Sequence, residues 1–252
     1  MDRIYLLGGM DLEMNEIAKL LDNAGQCYYS KNLEWHNAHL SAYSDILDEN
    51  PHNQFVGVEL SDPDQLAARY NYTLVDHHNQ YAHRPSSLLQ VAAMLGVEET
   101  DRMRIVAAND TGAIAGMLDA GFSYTQAMLV RTEDRRAQGI TPEQEQLCRE
   151  ALLNKVEYLD AVVVKSPIRR FSYITDMLYP SNRIMVYTNA ALTYYGPGRA
   201  VLLSSYESLI ASGAAYYGGA GQGFFGLAEG FFTQSDIEYH VNNILKLTYQ
   251  IV

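Results

Sequence analysis

The stretch Val75-Asp76-His77-His78-Asn79 decides the reading of this chain. It closes the apolar run Tyr72–Val75, so an acid and two adjacent imidazoles follow what reads as a buried strand. A parallel strand delivers the residues beyond its carboxyl end to a crevice of the sheet. A neutral imidazole binds Mn2+, Fe2+ or Zn2+ well, and a neighbouring carboxylate orients it. Adjacent residues on an extended backbone point opposite ways. His77 and His78 therefore divide the work, one on a metal and one on a substrate. The bland alternative is a surface turn with two solvated histidines.

A second acid stands in similar dress in Ile105-Val106-Ala107-Ala108-Asn109-Asp110-Thr111-Gly112. Arg104–Ala108 reads as another strand with Asp110 just past it. Taken alone, Asp110 reads better as an N-cap for a helix over Ala113–Ala120, and only the His pair favours a metal role. Asp11 and Glu13 lie past Gly8-Gly9, which reads as a turn after the strand Arg3–Leu7. Two acids there can bind metal, or simply complement the N-terminus of a helix over Leu12–Ala24. Glu59 ends the strand Phe55–Val58, where it can bridge two ions or be an ordinary loop acid.

The elements around these acids alternate. Gln26–Tyr29 reads as a short strand, His36–Leu47 and Asp64–Tyr70 as helices, and Ser86–Leu95 as a helix capped by Ser86 or Ser87 and closed by Gly96. This rhythm predicts an α/β fold with a doubly wound, mostly parallel sheet. The rhythm changes near Gly139. A helical connector (138–156) separates the first domain (1–137) from a second, smaller α/β domain (157–252). There Ala161–Lys165, Arg183–Asn189, Leu192–Tyr195 and Ala200–Ser204 read as strands and Ser235–Leu247 as a helix.

The second half also carries Gly218-Gly219-Ala220-Gly221-Gln222-Gly223, which reads either as a tight turn or as a phosphate cradle of backbone N–H groups. Arg84, Arg170 and Arg199 are candidates for clamping phosphates. Tyr173, Tyr187, Tyr194, Tyr195, Tyr216 and Tyr217 are either strand-face residues or base-stacking surfaces.

With 252 residues, 48% of them hydrophobic, the chain is long enough for a sizeable core. A net charge of −12 opposes a long nucleic-acid duplex as partner but not a short nucleotide held by metal. Two unpaired-looking cysteines, Cys27 and Cys148, fit a reducing cytoplasm. The start reads as a strand and not a signal peptide, and no run reaches the length of a membrane span.

Asp76-His77-His78-Asn79, then Ser86-Ser87-Leu88-Leu89-Gln90-Val91, then Asp110-Thr111-Gly112, resemble the DHH phosphoesterase superfamily. The glycine run at 218–223 is similar to the motif of the C-terminal domain that accompanies DHH domains. The resemblance implies a metal-dependent phosphodiesterase acting on a small nucleotide or nucleotide second messenger, with one or two Mn2+ ions (Mg2+ or Co2+ as alternatives). It implies Asp11, Glu13, Glu59, His77 and Asp110 as metal ligands, His78 on the scissile phosphate, and Asp76 orienting its neighbour. It implies Arg84, Arg170, Arg199, Gly219, Gly221 and Gln222 on the substrate, and pairing of two copies. Three departures stand out. Leu7 occupies the position of the family's first histidine, Glu13 and Glu59 replace aspartates, and Gln222 replaces a C-terminal histidine. Such divergence is similar to the CRISPR-associated nanoRNase-like branch, whose substrate is an S-adenosylmethionine–AMP conjugate. The same divergence suits a nucleotide-binding sensor with impaired catalysis. A pyrophosphatase or phosphomonoesterase on this scaffold is the other alternative.

Overall fold

The computed structural model describes residues 3–219 and 223–249. The chain divides into two compact units, residues 1–139 and 140–252. Among the described residues, no helix is long and apolar enough to cross a membrane.

The first unit is built on four strands: β1 (Arg3–Gly9), β2 (Cys27–Leu33), β3 (Gln54–Val58) and β4 (Asn71–Val75). They pair in the order β2-β1-β3-β4, all parallel. In β1, Ile4, Tyr5, Leu6 and Leu7 are all buried, because a parallel sheet is covered on both faces. One face packs Ile4, Leu6 and Phe55 against Leu40, Tyr43 and Leu47. Helix α1 (Leu12–Asn23) begins at an N-cap made by Asp11, whose Oδ1 accepts the Met14 N–H at 2.8 Å. It buries Ile17, Leu20 and Leu21 at helical spacing, and Gly25 follows in the left-handed region at φ +63°.

Chain order then adds α2 (Ser44–Glu49), α3 (Ser87–Leu95), α4 (Asp101–Asp119) and α5 (Tyr124–Ala137). Residues 36–47, expected as one helix, form two 3-10 turns (Trp35–Asn37 and Leu40–Tyr43) and the start of α2. The segment expected as the strand Arg104–Ala108 is helical. Thr100 caps α4 by accepting the Met103 N–H, and Asp110 lies inside this helix, neither at a strand end nor at an N-cap. An apolar run this short fits a buried helix turn as well as a strand, and the cap decides the matter. The helix breaks at Ala113, whose φ of 47° and ψ of −135° are non-helical.

In the second unit, α6 (Pro142–Leu153) packs through Cys148 beside Val164, Ile174 and Ile184, although its charged sequence suggests a separate connector. The strands β5 (Val156–Tyr158), β6 (Ala161–Lys165), β7 (Arg183–Tyr187), β8 (Leu192–Tyr195), β9 (Ala215–Gly218) and β10 (Phe224–Leu227) form one mixed sheet, ordered β5-β6-β7-β8-β10-β9. Helix α7 (Ser172–Leu178) joins the α6 face. The expected strand Ala200–Ser204 is instead helix α8 (Arg199–Ser205), followed by α9 (Glu207–Ala211). Leu202 turns into the core that α10 (Gln234–Tyr249) covers with Ile237, Val241, Ile244 and Leu245. Leu202 is the one buried residue of α8, which fits one face of a helix and not a strand covered on both sides.

Candidate metal centre

The order of the parallel sheet places the carboxyl ends of β1, β3 and β4 side by side, and each delivers acids or imidazoles. Beyond β1 come Asp11 and Glu13, beyond β3 Glu59, and beyond β4 Asp76, His77 and His78. Glu59 takes a left-handed backbone at φ 54° while its N–H donates to the Val75 carbonyl at 2.8 Å. That is a conformation few residues with a Cβ adopt, and strain of this kind concentrates at functional sites. Gly8 makes room for it. A Cβ there would lie 2.6 Å from the Val58 carbonyl oxygen and 2.7 Å from that of Glu59.

The side chains converge on His77 Nε2. It lies 2.6 Å from Asp110 Oδ2, 3.2 Å from Glu59 Oε1 and 3.6 Å from Glu13 Oε2. Glu13, Glu59 and His77 are buried, at 1%, 5% and 7% exposure. Five of their atoms lack any hydrogen bond: Glu13 Oε2, both oxygens of Glu59, His77 Nε2 and Asp110 Oδ2. The short His77–Asp110 approach is thus a contact between charges without an aligned hydrogen bond. Buried polar atoms are almost always paired. Five such atoms facing one another are a donor set that could hold a cation, and carboxylate oxygens with imidazole suit a divalent ion. Glu59, His77, His78 and Asp110 alone offer four donor atoms within 4.8 Å of one another.

The rest of each side chain is fixed. Glu13 Oε1 accepts the Leu88 N–H at 3.0 Å, so the N-terminus of α3 holds it in place. Asp76 Oδ1 accepts the His78 backbone N–H at 2.8 Å and faces His78 Nδ1 at 3.1 Å, which fixes that ring. The side chain of His78 is 43% exposed. Asp11 is the outlier of the expected ligands. It caps α1 with Oδ1 and reaches the cluster through its charge.

The electrostatics follow from crowding acids out of water. Burial raises the Glu59 carboxyl well above its usual value, and the charges of Glu13 and Asp110 add to this. Burial and the Asp110 charge do the same to Asp11. Burial opposes a charged His77, but Asp110, Glu13 and Glu59 outweigh it and push the imidazole to about 12.

The remaining expected residues are spread out. Arg84 stacks on the Tyr81 ring at 4.2 Å, just downstream of the His pair. In the second unit, Arg199 donates to the carbonyls of Gly218 and Gly219 at 3.0 and 2.8 Å, anchoring the glycine loop. Arg170 is half-buried there. Gly221 and Gln222 lie outside the described residues. Leu7, at the expected histidine position, is a core residue at 1% exposure. Tyr173 and Tyr194 are core residues as well, whereas Tyr216 and Tyr217 are exposed on β9.

Sequence reasoning missed α5 and the buried network it contributes. Arg131 donates to Asp134 at 2.7 Å and to Asn109, the neighbour of Asp110, at 2.9 Å. Asp134 in turn accepts the N–H of Leu12, the neighbour of Asp11, at 3.2 Å and the Gln138 amide at 2.9 Å. One ion pair thus ties together the two segments that carry Asp11 and Asp110.

No protein-family model matches the sequence, and neither does any curated protein. Among solved structures, the chain aligns with a pGpG-specific phosphodiesterase, PggH from Vibrio cholerae, at TM-score 0.51 and 12% identity, covering 98% of this chain and 100% of that one. It aligns with exonuclease RecJ bound to manganese at TM-score 0.51 and 11% identity, covering 95% of this chain and 89% of that one. The chain shares its fold with these two proteins. At such identity the likeness is one of backbone. The chemistry must be argued from this chain's own residues, and here those are the acids and imidazole that converge near the strand ends.

Proposed function

We propose that this chain is a metal-dependent phosphodiesterase acting on a small nucleotide or dinucleotide. The observation that carries the reading is the set of five buried, unpartnered donor atoms on Glu13, Glu59, His77 and Asp110. Glu59, His77 and Asp110, with Glu13 beside them, would hold the cation, and Asp11 would adjust the charge around them. A bound divalent ion supplies Lewis-acid charge to a phosphoryl group and lowers the pKa of water. His78, held by Asp76 through Nδ1, presents its exposed ring to a phosphate oxygen. Asp76 keeps that ring oriented, and the His78 N–H groups hold its carboxyl below the usual value despite partial burial. The acidic surface favours a short substrate over a long duplex. The neighbour named for pGpG supports a dinucleotide-sized substrate.

Leu7 supports a second reading. With an apolar side chain where the family places a histidine, the site offers fewer ligands for a second ion, which fits a sensor that binds nucleotide without consuming it. Incubation with Mn2+ and short RNAs, pAp, cyclic and linear dinucleotides or adenylate conjugates separates the two. Steady product formation, abolished by Asp110→Ala and by His78→Ala in folded protein, is the expected result. Turnover retained in both variants sinks the phosphodiesterase reading.

A further inference from the structure

Trp35 is the only tryptophan of the chain, and it is 47% exposed. It follows β2, whose register against β1 shifts between Leu7 and Gly9 so that Gly9 pairs with Leu33. Two residues on, the indole folds back over Gly9. A Cβ at Gly9 would lie 2.6 to 2.7 Å from three carbons of the Trp35 ring. The glycine is therefore what seats the indole. The same ring stands 5.7 Å from the His78 ring, tilted by 58°. A large aromatic surface is thus held in place, half open to solvent, beside the most accessible group of the metal cluster. An indole placed only to fill space would turn inward, since burying it is worth more than leaving it wet.

We propose that Trp35 is a stacking platform for a nucleobase of the substrate whose phosphoryl group sits at His78. This deepens the phosphodiesterase reading and rests on it. The ligand class is a nucleotide with at least one unpaired base next to the phosphodiester. Stacking on a flat ring is tolerant of base identity, because every base has a π-face. Trp35 accordingly selects base-bearing over base-free phosphoesters and discriminates weakly among bases.

The sole tryptophan supplies its own reporter. Fluorescence excited at the red edge, where tyrosine does not absorb, is followed while pGpG, pApA or ribose 5-phosphate is titrated into the full chain with Ca2+. Saturable quenching by both dinucleotides and none by ribose 5-phosphate is expected. Unchanged fluorescence at dinucleotide concentrations that saturate turnover overturns the proposal. In steady state with Mn2+, Trp35→Ala raises KM for the dinucleotides by about 5- to 150-fold, and Trp35→Phe recovers part of that loss. The loss exceeds any loss on the abasic counterpart of the dinucleotide, which has no ring to stack, by at least about fivefold. Equal losses on both substrates assign Trp35 a merely structural role and overturn the proposal. If the wild-type chain cleaves no diester, the phosphodiesterase reading fails, while the titration still decides the stacking.

Discussion

Glu59→Gln should move stability in opposite directions with and without metal. Leaving a buried polar atom unpaired costs about 1–3 kcal/mol. Here the carboxyls of Glu13, Glu59 and Asp110 crowd around one imidazole, which cannot neutralise three negative charges. Something must compensate, and only protons or a cation are available. In the metal-free chain the Glu59 carboxyl is raised above its unfolded value, chiefly by burial and then by Glu13 and Asp110. An ionised Glu59 thus disfavours folding at neutral pH, and a neutral isostere that adds an N–H donor relieves the strain. Glu59→Gln should raise the metal-free Tm. With Mn2+ at 100 times the wild-type Kd, linkage adds about 2.7 kcal/mol to the wild type. For a chain of this length that is roughly 5–11 °C. A variant binding about 100-fold more weakly gains only about 0.4 kcal/mol, or roughly 1–2 °C. Differential scanning fluorimetry with and without chelator reads both signs. A Tm rise with metal that is equal in both proteins, or a metal-free variant less stable than wild type, would refute the reasoning.

Metal binding should release protons. His77 is protonated at neutral pH in the bare site, with its pKa near 12, yet a ligating imidazole must be neutral. Mn2+ affinity therefore rises with pH, and calorimetry in buffers of different ionisation enthalpy should show net proton release at pH 7. The raised carboxyls of Asp11 and Glu59 act on metal-free stability with a definite sign. It declines as pH rises from about 4, because the unfolded chain ionises freely and the folded one does not. Breaking the α5 pair with Arg131→Met leaves Asp134 buried and uncompensated and should cost about 3–5 kcal/mol in urea unfolding. Arg131→Met combined with Asp134→Leu should recover part of it. Gly8→Ala pushes a Cβ to 2.6 Å from the Val58 carbonyl, and should cost about 1–3 kcal/mol and slow turnover by displacing Glu59. Wild-type stability and rate in that variant would show that β3 yields at no expense.

How much was legible varies by residue, for physical reasons. The strand before Asp76 could be read because Tyr72, Thr73, Leu74 and Val75 are β-branched, aromatic or apolar residues, although β4 is a half-buried edge strand. The caps of α1 and α3 could be read because Asp11, Ser86 and Gly96 are local chemistry, complete within a few residues. Ile105–Ala108 could not be typed, since a run of four apolar residues fits a strand or a buried helix turn equally. Asp110 therefore lies beside His77 in the cluster, but on a helix and not past a strand. Arg131 and Asp134 were invisible. An i,i+3 ion pair on a helix looks the same in sequence whether water or protein surrounds it. Trp35 gave no signal either, because the glycine that seats it lies on another strand.

The linear order of residues by itself determined which chemistry this chain carries: two imidazoles beside an acid, further carboxylates spaced through the first half, and the local caps that start and stop the helices around them. Only the tertiary structure decided that Glu13, Glu59, His77 and Asp110 converge in one largely buried cluster, that Asp11 also caps α1, and that α5 ties their segments together. The reason is that hydrogen-bonded caps and apolar periodicity act over a few residues. Burial, by contrast, is set by which distant segments the parallel sheet brings to one edge, and burial turns scattered acids into a site that demands a cation.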